Sequence, residues 1–247
     1  MLSQKIAVVT GAGGGIGREC AKILAKEHAH VLVIGRHEEN IKETVQQILD
    51  DGYQASYSKC DVSKEKDIKR LKTLIEEKFG KIDILVNNAA LFLPTDLLKK
   101  DIEDEWQKMI DVNINGVIQM VHTCLPYMMQ QKDASIINLA SVDAFAGCMN
   151  YTGYSMTKGA VVSFSRSLAL DLGKYNIRVN VVAPGITDTP MTHDRIEQNK
   201  EKYLKRLVLK RIGTDQDIAN AVLFLASGMS NYVTGEVLNV NGGLQFV

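Results

Sequence analysis

The amino-acid sequence predicts a doubly wound α/β domain, a parallel sheet with helices packed on both faces. Three observations carry that expectation. Short apolar runs alternate with longer segments in which apolar residues recur at helical spacing, the pattern of repeated βαβ units with right-handed crossovers. Most runs are continuous and do not alternate with polar residues, which suits strands covered on both faces. The first run passes straight into a glycine-rich stretch and then a helix. With 247 residues and no low-complexity linker or shift in composition, the chain reads as one unit over 1–247.

Taken in order, a strand at 6–10 leads through the glycines to a helix at 16–26. A strand at 31–35 precedes a helix at 39–49, and one at 55–60 precedes a helix at 63–79. The strand at 82–87 is followed by a helical pattern at 106–129 and that at 135–140 by another at 151–173. The strand at 177–183 leads to a helix at 215–227, and a last strand lies at 236–240. Two of these helices are more apolar than one sheet-facing stripe requires. In 106–129, residues such as Trp106, Met109, Ile110, Val117, Ile118, Met120, Val121 and Leu125 cover well over half the circumference. In 151–173, Met156, Val161, Val162, Phe164, Leu168 and Leu170 mix with small residues. The surplus faces predict self-association through helices 106–129 and 151–173.

The chain carries 29 Lys and Arg against 29 Asp and Glu, a formal charge of +0. That balance argues against a nucleic-acid coat protein or a membrane-surface binder, both of which need a positive excess. Cys20, Cys60, Cys124 and Cys148 form no Cys-x-x-Cys pair and have no histidine at zinc-finger spacing. Four reduced thiols in a reducing compartment are expected. No apolar stretch approaches the ~18 residues of a membrane span. His28, His30, His37, His122 and His193 have no spaced carboxylate or cysteine partner, so no metal site is expected. The expectation is a soluble cytoplasmic protein with neither nucleic acid nor membrane as partner.

The glycine stretch reads Thr10-Gly11-Ala12-Gly13-Gly14-Gly15-Ile16-Gly17. Glycines there let the backbone turn tightly and let a pyrophosphate approach amides at a helix N-terminus, where the dipole favours anions. The fingerprint Gly-x-Gly-x-x-Gly is not met, because Ile16 stands in the third glycine's place counted from Gly11. Nor does Gly-Lys-Ser/Thr follow, as a P-loop requires. The pattern is Thr-Gly-x-x-x-Gly-x-Gly, and Gly11, Gly13, Gly14, Gly15, Ile16 and Gly17 are candidate nucleotide contacts.

The end of the second strand indicates which nucleotide. A ribose 2′-hydroxyl is normally accepted by an acid there, whereas a 2′-phosphate needs a cation. This strand ends in Gly35-Arg36-His37, with glycine in the acid's position and beside it a guanidinium able to clasp a phosphate. NADP(H) is expected in preference to NAD(H).

Further along stand Asn87-Asn88-Ala89-Ala90, Asn113-Ile114-Asn115-Gly116, Ser141, Tyr154-Ser155-Met156-Thr157-Lys158 and Pro184-Gly185-Ile186-Thr187-Asp188-Thr189. With spacings of 28 from Asn113 to Ser141 and 13 from Ser141 to Tyr154, the chain resembles the short-chain dehydrogenase/reductases from Lys5 onward. The resemblance implies a single-domain Rossmann fold with a seven-stranded parallel sheet, assembled as a homotetramer, or a homodimer, through the two apolar helices.

The chemistry of these residues can also be argued directly. Reducing a ketone to a secondary alcohol requires a proton for the developing alkoxide, and oxidation requires its removal. Tyr154 can carry that proton, but a free tyrosine titrates near ~10. Lys158, four residues later on the same helix, shares its face, and its charge, with the oxidised nicotinamide nearby, favours tyrosinate and lowers that pKa. Ser141 can hold the substrate oxygen. The resemblance adds Asn113 as the anchor of a water relaying protons from Lys158. It also sets Asp61 and Val62 at the adenine, and Asn88 and Ala89 beside the adenosine ribose. Asn87 is expected to tie strands together. Pro184, Gly185, Thr187 and Thr189 come to the nicotinamide, its carboxamide or the pyrophosphate. One departure stands out: Ala90 replaces the family's usual glycine, at a cost of order 1 kcal/mol if that position needs positive φ.

The substrate is expected over the nicotinamide, under a small lid at about 187–211. Residues 191–211 hold seven Lys or Arg against three acids, a surplus that either attracts an anionic substrate or forms the wet face of an amphipathic helix. Three functional readings follow. The first is an NADP(H)-dependent carbonyl reductase or alcohol dehydrogenase acting on a small molecule. The second is a 3-oxoacyl-carrier-protein reductase. Against it, 130–133 (Gln-Gln-Lys-Asp) and 173–175 (Gly-Lys-Tyr) lack the paired arginines such a docking surface needs. The third is a non-catalytic nucleotide sensor, whose expected mark, a damaged Tyr/Lys/Ser set, is absent.

Overall fold

The structure, a computed structural model, describes residues 1–97, 102–131 and 133–246. The strands are β1 (Ile6–Thr10), β2 (His30–Gly35), β3 (Ala55–Lys59), β4 (Ile84–Asn87), β5 (Ala134–Leu139), β6 (Ile177–Pro184), β7 (Thr187–Asp188), β8 (Gly213–Thr214) and β9 (Val237–Val240). Seven of them form one parallel sheet in the order β3-β2-β1-β4-β5-β6-β9, and β7 with β8 makes a small separate ladder. The helices are α1 (Gly15–Lys26), α2 (Glu38–Asp50), α3 (Glu65–Lys78), α4 (Glu103–Ile110), α5 (Gly116–Met128), α6 (Asp143–Ala146), α7 (Thr152–Leu172), α8 (His193–Arg206) and α9 (Asp215–Ala226).

The continuous apolar runs have the cause the sequence suggested. In β1, Ala7 and Val9 join a core with α1, α2 and α9, while Val8 joins a second core with α3, α5 and α7 on the opposite face. The central strands are therefore covered on both faces, and the fold is a single doubly wound Rossmann-type domain. The surplus apolar faces remain visible: Ile118 of α5 and Met156 of α7 are exposed, and Leu170 of α7 is 87% exposed. Among the described residues, no helix is long and apolar enough to cross a membrane. Lys132, in the segment weighed for carrier-protein docking, lies outside the described residues.

Several boundaries differ from the sequence reading by a residue or two, and two differ further. The strand expected from 82 begins at Ile84, after buried Asp83, whose carboxylate accepts from the Ile6 amide (2.8 Å) and pairs with Lys5 (3.2 Å). The helical pattern at 106–129 resolves into α4, a π-helical turn at Asp111–Asn115, and α5. Helix α8 is broken by non-helical dihedrals at Asn199.

Candidate active site

The strand order reverses between β1 and β4, so the loops leaving their carboxyl ends part and open a crevice. A cleft of about 1060 Å³ lies there, lined by the loop after β1, the end of β2, the loop after β4 and the turn after β6. The glycines of the first loop serve close approach. Gly11 adopts φ +64°, and a Cβ on it would sit 2.8 Å from the Ala89 Cα. Asn88 fixes that contact by donating from Nδ2 to the Thr10 (3.0 Å) and Gly11 (3.2 Å) carbonyls. In return, Thr10 Oγ1 accepts from the Asn88 and Ala89 amides. A methyl on Gly17 would overlap the Gly11 carbonyl and lie 2.5 Å from the Asn88 amide nitrogen. Gly17→Ala should therefore cost about 1–3 kcal/mol and lower Tm by roughly 5 °C, and thermal unfolding of the variant checks this.

At Gly14 an added Cβ meets nothing, since the residue faces the open cleft. Helix α1 starts there with no acid in its first turn and no side-chain cap, so its leading N–H groups remain available to an anion. These features fit the pyrophosphate of a dinucleotide. Arg18, which sequence reading did not single out, also lines this part of the cleft, but it is committed to Glu43 (2.8 Å) and the Gly13 carbonyl (2.8 Å). At the far end, a Cβ on Gly35 would lie 2.7 Å from Ile41 Cγ2, which explains why no acid stands there. Arg36 beside it is exposed, lines the cleft and forms no ion pair among the described residues. Asp61 spends Oδ1 on the Ser63 amide (3.0 Å) and hydroxyl (2.7 Å), leaving Oδ2 for a ligand. Its neighbour Val62 is buried and lines the same cleft.

The other end gathers the expected proton-handling set. Tyr154 and Lys158 share a face of α7, with Lys158 Nζ 5.6 Å from the Tyr154 ring centroid. Ser141, in the turn after β5, is buried and hydrogen-bonds Tyr154. Asn113 stands in the π turn, and both ends of its amide are used. Oδ1 accepts from the Leu91 amide (2.7 Å), and Nδ2 donates to the Leu91 carbonyl (2.9 Å) and Thr157 Oγ1 (3.0 Å). These bonds tie the π turn to α7 and to the loop after β4. Asn87 Nδ2 donates to Asn138 Oδ1 (2.9 Å), linking β4 to β5 as expected. Pro184, Gly185, Thr187 and Thr189 all line the cleft, with the Thr189 hydroxyl 2.9 Å from that of Thr192. Ala90 is absent from the residues with positive φ, so its methyl carries no backbone strain.

Without a nucleotide in the cleft, the tyrosine is held above its ordinary pKa. Burial raises the Tyr154 pKa, the nearby Asp143 charge adds to the rise, and the Ser141 hydrogen bond opposes it. The Lys158 ammonium donates to the Leu139 carbonyl (2.7 Å), and burial lowers its own pKa to about 8. This cation is penalised in the folded state, fully so below pH 8, and the penalty fades as pH rises toward the ordinary value of 10.5. Denaturant unfolding of wild type and Lys158→Met should therefore show their stability difference shifting in favour of wild type between pH 8 and 10.5.

A cleft that offers helix amides to an anion at its middle and, at one end, a half-buried tyrosine beside a buried lysine suits a nicotinamide-dependent oxidoreductase. The comparisons agree. Residues 11–245 match the family model described as enoyl-(acyl carrier protein) reductase. The 3-oxoacyl-(acyl-carrier-protein) reductase of Chlamydia muridarum is 36% identical over 99% of this chain and 98% of its own length. That of Staphylococcus aureus is 37% identical, with 99% of both chains covered. The crystal structure of a short-chain dehydrogenase/reductase titled glucose/ribitol dehydrogenase, from Brucella melitensis, superposes with a TM-score of 0.94 at 32% identity. That match covers 100% of this chain and 98% of the other. The chain belongs to the short-chain dehydrogenase/reductase family, and it is an NAD(P)-dependent oxidoreductase.

Proposed function

We propose that this enzyme interconverts a ketone and a secondary alcohol with NADP(H), using Tyr154 as general acid and base. The observation that carries the reading is the convergence of Tyr154, Ser141 and Lys158 on one end of the cleft that the glycine loop enters. A bound nicotinamide supplies or accepts the hydride. Ser141 Oγ donates to the substrate oxygen, orienting it and stabilising developing charge. Tyr154 passes its proton to that oxygen during reduction and removes it during oxidation. Lys158 moves its charge toward the tyrosine once its surroundings offer a partner better than the Leu139 carbonyl, and lowers the tyrosine pKa from its buried value. Asn113 holds the π turn beside them and anchors the relay of protons from Lys158.

In this reading Gly11, Gly13, Gly14, Gly15, Ile16 and Gly17 cradle the pyrophosphate, and Arg36 clasps the 2′-phosphate. Asp61 and Val62 meet the adenine, while Asn88 and Ala89 pass beside its ribose. Pro184, Gly185, Thr187 and Thr189 frame the nicotinamide. Residues 187–211 act as a lid. The exposed apolar residues of α5 and α7 support a homotetramer, or a homodimer, through those helices. The four free cysteines support a cytoplasmic setting.

A second reading, a 3-oxoacyl-carrier-protein reductase, is favoured by relatives of that name matched over nearly their whole length. NADPH oxidation measured with small ketones and with acetoacetyl thioesters separates the two. Turnover of small ketones supports the first reading. Turnover confined to thioesters promotes the second, and none with either overturns both.

A further inference from the structure

The substrate end of the cleft holds cations that form no ion pair among the described residues. Arg195 of α8 lays its guanidinium over the Tyr151 ring, with Cζ 4.9 Å from the centroid, and lies 5.5 Å from that of Phe92. Those two rings are stacked on each other, 4.1 Å apart and 4° from parallel. The guanidinium is thus held in place by aromatic surface instead of by a carboxylate. Its one side-chain hydrogen bond among the described residues runs from Nη2 to the Cys148 sulfur (3.4 Å). Lys202 and Arg206 line the same region, and none of the three cations forms an ion pair among the described residues. Other arginines of this protein do find acids, as Arg211 does with Asp217 (2.6 Å).

Among the described residues, the acid that lines this end is Asp143. Burial raises its pKa, and the charges of Arg195 and Arg206 work against that rise. One carboxyl against three cations leaves this end of the cleft positive. Charged groups withdrawn from water without a partner are costly, so a fixed, half-buried guanidinium facing a cleft implies a counter-charge brought by the ligand. The distance is short. Phe92 touches both Arg195 and the Tyr154 ring, the latter edge-on with centroids 4.7 Å apart.

We propose that this end of the cleft is an anion-recognition site, in which Arg195, with Arg206 and Lys202 beside it, holds a carboxylate or phosphate carried a few bonds from the reacting carbonyl. The inference rests on the reading that places the chemistry at Tyr154 and names its substrate class: small oxo acids or phosphorylated ketones and the matching alcohols. In reduction, the carbonyl carbon gains a C–H bond with two electrons from the reduced nicotinamide, and its oxygen takes the Tyr154 proton. The C=O becomes CH–OH, and the anionic group is unchanged.

The test compares kcat/KM for acetoacetate with its neutral methyl ester, and for dihydroxyacetone phosphate with dihydroxyacetone. Wild type, Arg195→Met, Arg195→Lys and Arg206→Gln are assayed by NADPH oxidation. Wild type should favour the anion in at least one pair by about 30-fold or more, and the pair that does so separates carboxylate from phosphate. The preference should fall about tenfold in Arg195→Met and Arg206→Gln and recover in part in Arg195→Lys. Equal rates within both pairs, or a preference that survives Arg195→Met, overturn the inference and leave the reductase reading standing. Turnover of no member, and of no acetoacetyl thioester either, defeats the reductase reading. Calorimetry of NADP-loaded Tyr154→Phe with 3-hydroxybutyrate and glycerol 3-phosphate then decides the anion site. Binding that Arg195→Met abolishes supports it, and absence of heat with both overturns it.

Discussion

Replacing Tyr154 by Phe should lower kcat by about 10²–10⁴-fold while leaving NADPH affinity close to that of wild type. The change removes one hydroxyl and keeps the ring. The edge-on contact with Phe92, centroids 4.7 Å apart at 80°, survives, as does the Lys158 bond to the Leu139 carbonyl (2.7 Å). What disappears is the hydroxyl proposed to pass a proton to the substrate oxygen, and with it the partner of the Ser141 hydroxyl. Fluorescence titration reports NADPH binding, and steady-state kinetics report turnover. A variant with near-normal kcat would remove Tyr154 from the reaction.

Arg36→Ala should reduce kcat/KM for NADPH by roughly 30-fold, about 2 kcal/mol of charge-assisted bonding, with little effect on NADH. Arg36 is exposed and has no ion pair to lose among the described residues, so the substitution removes a ligand contact without unbalancing the fold. The usual route to NAD preference, an acid at the end of the second strand, is blocked here. A Cβ on Gly35 would lie 2.7 Å from Ile41 Cγ2, so Gly35→Asp alone should destabilise the β2–α2 corner before it gains any NADH affinity. Equal loss with NADPH and NADH in Arg36→Ala would show that the guanidinium does not read the 2′-phosphate.

What was legible in the sequence was what local chemistry dictates. Apolar runs covered on both faces fixed the strands, and the glycines after β1 marked the turn, where close approach admits no side chain at Gly11 and Gly17. The i,i+4 placement of Tyr154 and Lys158 put both on one face of α7 as expected. The remainder depends on partners far apart in the chain. The π turn at Asp111–Asn115 is held by Asn113 bonds to Leu91 and Thr157, which no helical periodicity reveals. Asn88, expected beside a ribose, spends its amide holding the loop carbonyls of Thr10 and Gly11. Arg195 counted only as one charge among seven in 191–211. Its fixed position comes from Phe92 and Tyr151, which the fold alone brings beneath it.

The central claim is direct reduction of a carbonyl at Tyr154 by NADPH bound over the glycine loop. Its most direct test uses NADPH deuterated at the transferring position of C4, with mass spectrometry of the alcohol formed from a turned-over ketone. One deuterium on the new C–H bond, and product formation all but abolished by Tyr154→Phe, is the predicted result. Alcohol without deuterium, or labelled alcohol formed as fast by Tyr154→Phe, would contradict it.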